Sequence, residues 1–551
     1  MSKPPAGTDA SGWPTSLRRD AKILGLLFAS TTSMIGSGWL FGAFHATRIA
    51  GPLAIWSWVV GAAIIMLIAL CFAELSSMFP KSGALVHMSH ASHGNGLGRI
   101  WSWMLFLSYV AIPPVEAEAI VTYANNYIPG LVAPGSGVLT IVGFVACAVL
   151  LLLMAVLNLL AVQLLLRLNN TVTWWKIAVP VVTGMALIVS AFGHPGAVHA
   201  DPGGYNVTGI FLALPAAGIV FSFLGFRTAI DLGGESSNPG RHIPMAVIGS
   251  VVLGGAVYIL LQVGFLAALR PSDLVHGWAN LTFPGAMGPF AGLAAMLGMG
   301  WLAFILYVDA YISPGGTGLM FITGGSRILY AIGEVDAGPA WLTRLNSGGI
   351  PWLAVLVMWV VGVVFLLPFP AWQLLVNYVT SITVLTYGLG PVALLVLRRN
   401  VPQVKRPFLL PSANFVAPAA FASSNLIVLW TGFHTNSVLM AIVAIGFVVY
   451  AAWFHFIARR PAADFGWREI SWLLPWFGGL WAISGLSDVG GGLGYLTFWP
   501  AVVVTLTWSF VVMAIAMRCA LVAEDTAASM ARMSGYDEDL LFIDTPPDSS
   551  R

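Results

Sequence analysis

Long apolar runs alternate with short polar stretches along most of this chain. A helix that crosses a bilayer needs about twenty mostly apolar residues. Windows of that kind fall near 21–49, 51–75, 100–128, 138–162, 170–192, 208–234, 243–269, 288–322, 351–369, 373–397, 412–432, 435–457, 470–490 and 496–520. The pattern predicts an all-α polytopic membrane protein of about fourteen spans. The 288–322 run is overlong and contains Ser313-Pro314-Gly315-Gly316, so a tilt or a distorted turn is expected there. The last two windows are separated by little polar loop, only the Gly490–Gly494 run and its surroundings.

Composition narrows the class. The 551 residues are 58% hydrophobic and 8% charged, against about 25% charged in soluble domains. Such a chain cannot clothe a cytosolic core, which excludes a soluble enzyme, a nucleic-acid binder and a disordered scaffold. No polar stretch is long enough to be a soluble domain on a small anchor. The 24 Lys and Arg nearly balance the 22 Asp and Glu, so net charge (+2) identifies no partner. Cys71, Cys147 and Cys519 lie in separate runs, without the spacing of a disulfide framework or a zinc site. The polar start, Met1–Thr15, predicts no cleavable signal peptide; the first span would serve for insertion.

The placement of charge sets the orientation. With the N-terminus in the cytoplasm and spans alternating, twenty of the 24 basic residues fall on the cytoplasmic side. Arg48 and Arg270 face out, while Lys176 and Arg227 fall inside the bilayer. Both termini are therefore expected in the cytoplasm of a cell-membrane protein. The tail from 523 is acidic, with Asp537, Glu538, Asp539, Asp544 and Asp548.

Two spans carry interruptions. The first holds Ser33-Met34-Ile35-Gly36-Ser37-Gly38, and the sixth holds Phe221-Ser222-Phe223-Leu224-Gly225-Phe226 after Pro215. Mid-span glycine lets backbone unwind, and unwound backbone at membrane depth survives only where it is buried or lines a cavity. The half-helix N-termini so created can hold a carboxylate. Glycine also serves plain helix packing in membranes, but two breaks five spans apart match an inverted repeat of five helices.

The same residues carry a resemblance. To the two breaks are added Ala73-Glu74-Leu75-Ser76-Ser77-Met78-Phe79-Pro80-Lys81-Ser82-Gly83-Ala84, Gly234-Glu235-Ser236-Ser237-Asn238-Pro239, Ile243-Pro244, Asp309, Ser313-Pro314 and Ser326-Arg327 with Leu329-Tyr330. Over roughly 20–460 the chain resembles an amino acid permease of the amino acid–polyamine–organocation (APC) superfamily, and within it is most similar to bacterial permeases of the aspartate–proton symporter type. The resemblance implies a five-plus-five inverted-repeat core over 20–400 with helices 1 and 6 broken. Helices 11–12 would occupy 401–460 and two additional helices 461–522, between a 1–19 tail and a 523–551 tail. It implies that Gly36, Ser37 and Gly38, within a Ser33–Gly38 site that includes Ile35, hold the substrate carboxylate. Carbonyls around Phe221, Ser222 and Phe223 would receive the amino group beside Gly225, with Phe221 or Phe226 as an aromatic gate. Many relatives carry a glutamate after the Gly225-Phe226 pair; here Arg227 stands there, which argues against a cationic substrate.

Charge inside a bilayer costs about 2.5–3.5 kcal/mol on insertion scales and marks functional candidates. Arg227 either clamps an acidic side chain or pairs with Asp231 one turn on. Lys176 matches the fifth-span lysine that, in proton-coupled relatives, takes the place of sodium; the competing reading is snorkelling, since the window starts only about two turns earlier. Glu116 and Asp309 are further proton-coupling candidates. Glu118 cannot share a helix face with Glu116. Glu74, at a cytoplasmic helix end, reads as a structural or gating cap. His87, His90 and His93 are read as a helix on the membrane surface rather than a metal site. No nucleotide-binding motif is present, so no cofactor is expected, and energy comes from an ion or exchange gradient unless a separate subunit supplies it. The expected function is proton symport of an amino acid, acidic first. An exchanger, a neutral amino acid permease and a transporter-like nutrient sensor are the alternatives. A membrane enzyme would need a nucleophile–base pair or a metal set, and the sequence presents neither.

Overall fold

A computed structural model describes residues 21–534, apart from 80, 82, 135–136, 161, 193–205, 286–287, 336, 347, 368–370, 458, 460 and 462–464. The side chains of 160–171 and a few residues near 453–457 and 532–534 are likewise outside the description. Both expected tails, 1–19 and the acidic residues from Asp537 on, lie outside the described residues.

The described chain is almost entirely helical, because apolar runs with few charges satisfy their backbone groups only from within. In order, the helices are α1 (Ile23–Met34), α2 (Ser37–Ala50), α3 (Ala54–Met78), α4 (Ala84–Val110), α5 (Ile112–Ala124), α6 (Ile141–Leu160), α7 (Val162–Ser190), α8 (Val207–Ala216), α9 (Ile219–Phe223), α10 (Thr228–Asp231) and α11 (Pro239–Ala268). Then follow α12 (Pro289–Met296), α13 (Gly300–Glu334), α14 (Trp352–Leu366), α15 (Trp372–Asn400), α16 (Ala413–Trp430), α17 (Phe433–Ala452), α18 (Trp467–Ile470), α19 (Leu473–Leu486), α20 (Phe498–Cys519) and α21 (Ala523–Ser534).

Each of the fourteen expected windows contains helix, yet length and composition alone qualify nine stretches among the described residues as spans, or ten with the bent pair around residue 217. The difference has a physical source: the breaks cut helices short, and α2 runs on into α3 as one stretch, Ser37–Met78. Of the tilt or distorted turn expected at Ser313–Gly316, the distorted end is corrected. α13 starts at Gly300 and passes through Pro314 to Glu334 without interruption. The Ser313 hydroxyl bonds Asp309 and its carbonyl accepts from Lys176, so local polar groups steady the turn at the proline.

The first break lies where expected, at Ile35 and Gly36 between α1 and α2. In the sixth segment the bend comes earlier than Phe221: α8 and the α9–α10 stretch meet at 57° about Ala217 and Gly218. Gly218 has a left-handed backbone (φ 76°), and a Cβ there would press on Trp372. A 3-10 turn over Leu224–Arg227 then joins α9 to α10.

Around these breaks, α11 packs on α1, α3 and α7, α13 packs on α1, α4, α5 and α7, and α15 packs on α3, α4 and α16. The C-terminal helices close over α4. Trp101 stacks on Trp476, which stacks on Trp472, next to His93. The histidine expectation is corrected here: His87, His90 and His93 are buried under this extension rather than lying on a surface. His93 bonds the Ala516 carbonyl and the Ser529 hydroxyl bonds that of His90.

Candidate functional site

The end of α1 leaves its last carbonyls without helical partners, and buried side chains collect them. The Lys176 ammonium donates to the Thr32 carbonyl (2.6 Å), the Ser313 carbonyl (2.8 Å) and the Thr317 hydroxyl (2.9 Å). Thr317 in turn donates to the Thr32 carbonyl at 2.9 Å. The Tyr258 hydroxyl lies 2.8 Å from the Met34 carbonyl and 2.9 Å from that of Ser222, bridging the two broken segments. Lys176 is fully buried. α7 begins at Val162, about 20 Å of helix before it, so the snorkelling reading is corrected: the helix starts a full two turns earlier than the hydropathy window.

Across the break, α2 begins at Ser37. The Ser37 N–H donates to Glu116 Oε2 at 2.7 Å, and the Ser37 hydroxyl accepts from the Trp372 indole at 3.0 Å. Small residues make this approach possible. A Cβ on Gly36 would lie 2.5 Å from Glu116 Oε1 and 2.8 Å from the Thr317 hydroxyl. One on Gly38 would run into the Ser222 side chain, and one on Gly225 into the Ser33–Met34 backbone. Ser33 bonds its own helix at the Ala29 carbonyl. The two breaks are therefore in direct contact.

Aromatic rings bracket the contact. Phe221 meets Trp372 edge to face, with Phe41 and His45 also on that indole. Phe226 packs between Phe72 and Tyr387 on the other side, and Phe223 packs on Tyr258 and Trp58. The Tyr387 hydroxyl donates to the Leu224 carbonyl at 3.1 Å.

Arg227 belongs to a second cluster just past the 3-10 turn. Its guanidinium donates to the hydroxyl and carbonyl of Ser108 at 2.9 and 3.0 Å and lies 3.6 Å above the Tyr109 ring. The Tyr109 hydroxyl bonds Asp231. The alternative of an Arg227–Asp231 pair is met only indirectly: both groups contact Tyr109, one its ring and one its hydroxyl. Asp309 accepts from the Trp175 indole and the Ser313 hydroxyl, both at 2.8 Å, one turn from Lys176's partners. Glu118 is buried away from both clusters, and neither of its carboxylate oxygens has a hydrogen bond. Glu74 is fully buried and ties α3 to Arg398, Arg406 and the Leu410 N–H. Among the described residues no group of three or more His, Cys, Asp or Glu has metal-holding geometry.

Sequence reasoning named Lys176, Glu116, Asp309 and both breaks. It passed over Tyr258, Thr317, Thr32, Trp372, Ser108 and Tyr109. Large amphipathic side chains with a polar tip are the signal that could have found Tyr258 and Trp372.

A family model described as amino acid permease matches residues 22–450. The glutamate/serine transporter AimA of Bacillus subtilis is 35% identical over 505 residues, with 89% of this chain and 92% of AimA covered. That share exceeds what residues 1–450 hold, so the likeness continues into the C-terminal helices. The aspartate-proton symporter of the same organism is 29% identical, covering 88% of this chain and 93% of its own length. Its branched-chain amino acid permease BcaP is 24% identical, covering 80% and 94%.

Proposed function

This chain belongs to the amino acid permease family, whose members are transporters rather than enzymes, and from that premise we propose that it carries an acidic amino acid, aspartate or glutamate, by proton symport with alternating access. One observation carries the reading. A buried lysine holds the end of one broken helix through the Thr32 carbonyl, while the Ser37 N–H at the start of the other half meets the Glu116 carboxylate. An ammonium in a desolvated site is a group that can give up a proton, and its release would slacken the hold on α1.

In this reading the substrate carboxylate binds at Gly36, Ser37 and Gly38, and its amino group meets carbonyls near Phe221, Ser222 and Phe223. The two broken segments belong to a five-plus-five inverted-repeat core and swing against the other helices. Phe221 and Phe226, on opposite sides of the contact, are the gate candidates. Arg227 favours an anionic side chain, and the names of two relatives, the glutamate/serine transporter and the aspartate-proton symporter, support acidic substrates. Lys176 carries the proton, with Glu116 and Asp309 as partners. Both termini lie in the cytoplasm and the protein sits in the cell membrane.

The test is uptake into proteoliposomes under an imposed pH gradient. An alkaline interior should accelerate aspartate or glutamate uptake, and collapsing the gradient with a protonophore should abolish accumulation. Uptake that ignores the gradient and requires substrate on the opposite face identifies an exchanger. A neutral substrate range is a second reading with support of its own, because AimA's name includes serine. Competition by serine against labelled glutamate decides between the two.

A further inference from the structure

The first turn of α2 already holds a carboxylate, and it is the protein's own. Glu116 Oε2 accepts the Ser37 N–H at 2.7 Å. Its other oxygen, Oε1, is buried without a hydrogen bond and lies where a Cβ on Gly36 would collide with it. The side chain is fully buried. α2 is fourteen residues long, so its N-terminus carries the full partial positive charge of a helix end. An α-amino acid binding there brings a second carboxylate to the same N–H groups. Two carboxylates within a few ångströms of each other in a buried site repel strongly.

We infer that Glu116 is an internal surrogate for the substrate's α-carboxylate: it takes the Ser37 N–H at the α2 N-terminus and must be neutralised or displaced before an amino acid can occupy it. This rests on the amino acid reading proposed above and adds an order to it, proton before substrate. Sterics point the same way as charge, because Glu116 already sits so close to the break that even a Cβ on Gly36 would lie 2.5 Å from its Oε1. The groups around Glu116 are few. α7 contributes Lys176, bonded to the Thr317 hydroxyl beside Gly36, and α11 contributes Tyr258, bonded to the Met34 carbonyl at the same break. α13 contributes the Thr317 hydroxyl, with Asp309 two turns away, and α6 contributes Met154 beside Gly318. α1 and α2 offer backbone and hydroxyl groups.

The experiment is equilibrium binding of glutamate or aspartate to the detergent-solubilised full-length protein across pH, by calorimetry or thermal shift, in wild type and Glu116→Gln. Wild type should weaken by up to about tenfold per pH unit as Glu116 ionises, the slope of one linked proton. E116Q, neutral and of the same shape, should bind at high pH as tightly as wild type does at low pH. The decarboxylated amine of the same amino acid, which brings no α-carboxylate, should bind both proteins without that slope. A pH slope that survives in E116Q, or an amine that shows the same slope in wild type, overturns the inference and assigns the linked proton to another group. Wild type that binds no amino acid at any pH overturns the transport reading itself, a separate result. Should E116Q fail to fold, Glu116→Asp serves: the carboxylate withdrawn by one methylene should raise affinity at neutral pH, and unchanged affinity counts against the surrogate.

Discussion

Two cations are buried in this molecule near the unwound helices, and they are held in opposite ways. Lys176 donates only to neutral oxygens, two carbonyls and a hydroxyl, all on other helices, and one of them closes the break after α1. Arg227 is bonded twice to Ser108 and stacked on Tyr109, whose hydroxyl bonds Asp231. An ammonium is a compact point charge that can shed its proton when desolvated, whereas a guanidinium keeps its charge throughout. The lysine therefore suits a changing charge at a joint that moves. The arginine suits a permanent charge on a surface that stays assembled.

The largest expected effect breaks the lysine half of this contrast. Lys176→Ala removes three charge-assisted bonds and should lower gradient-driven uptake by about 10–100-fold. Counterflow exchange at equal pH should suffer less, and equal loss in both assays would make Lys176 a structural post. Arg227→Ala comes next. Initial uptake rates should fall about tenfold more for aspartate or glutamate than for serine; an equal fall for all substrates would leave Arg227 as a packing element only. Tyr109→Phe sharpens the comparison. It keeps the ring under Arg227 but leaves Asp231 with neither oxygen bonded, costing about 1–3 kcal/mol, to be read as a lower melting midpoint without altered substrate preference. The smallest effect belongs to Thr317→Val, which removes one hydroxyl shared by Lys176 and Thr32. A change of about 1 kcal/mol should appear as a shifted pH profile of uptake with little loss of rate.

Much of this architecture was legible because a bilayer-spanning helix leaves a coarse trace, a run of apolar residues of fixed length. Charged residues were legible for the complementary reason: in such a run they are rare, so Lys176, Glu116, Asp309 and Arg227 stood out singly. Their partners did not. Thr317 and Tyr258 differ from their neighbours by one hydroxyl, and only three-dimensional placement tells a hydroxyl that bonds a freed carbonyl from one that bonds its own helix, as Ser33 does with Ala29. The start of α7 was missed because polar Asn169 and Asn170 and Arg167 depress the local hydropathy while the helix continues through them. Pro314 misled because α13 continues through it, with Ser313 next to it bonded to Asp309 and Lys176.

The tryptophan ladder from Trp101 to Trp476 and Trp472 also sets a timetable for biosynthesis. Trp101 leaves the ribosome 375 residues before Trp476, a delay of about 20–75 s at ordinary elongation rates of about 5–20 residues per second. For that interval the face of α4 that carries Trp101, His90 and His93 has none of its final C-terminal cover. The last helices to be made are thus the ones that complete the burial of a helix made near the start.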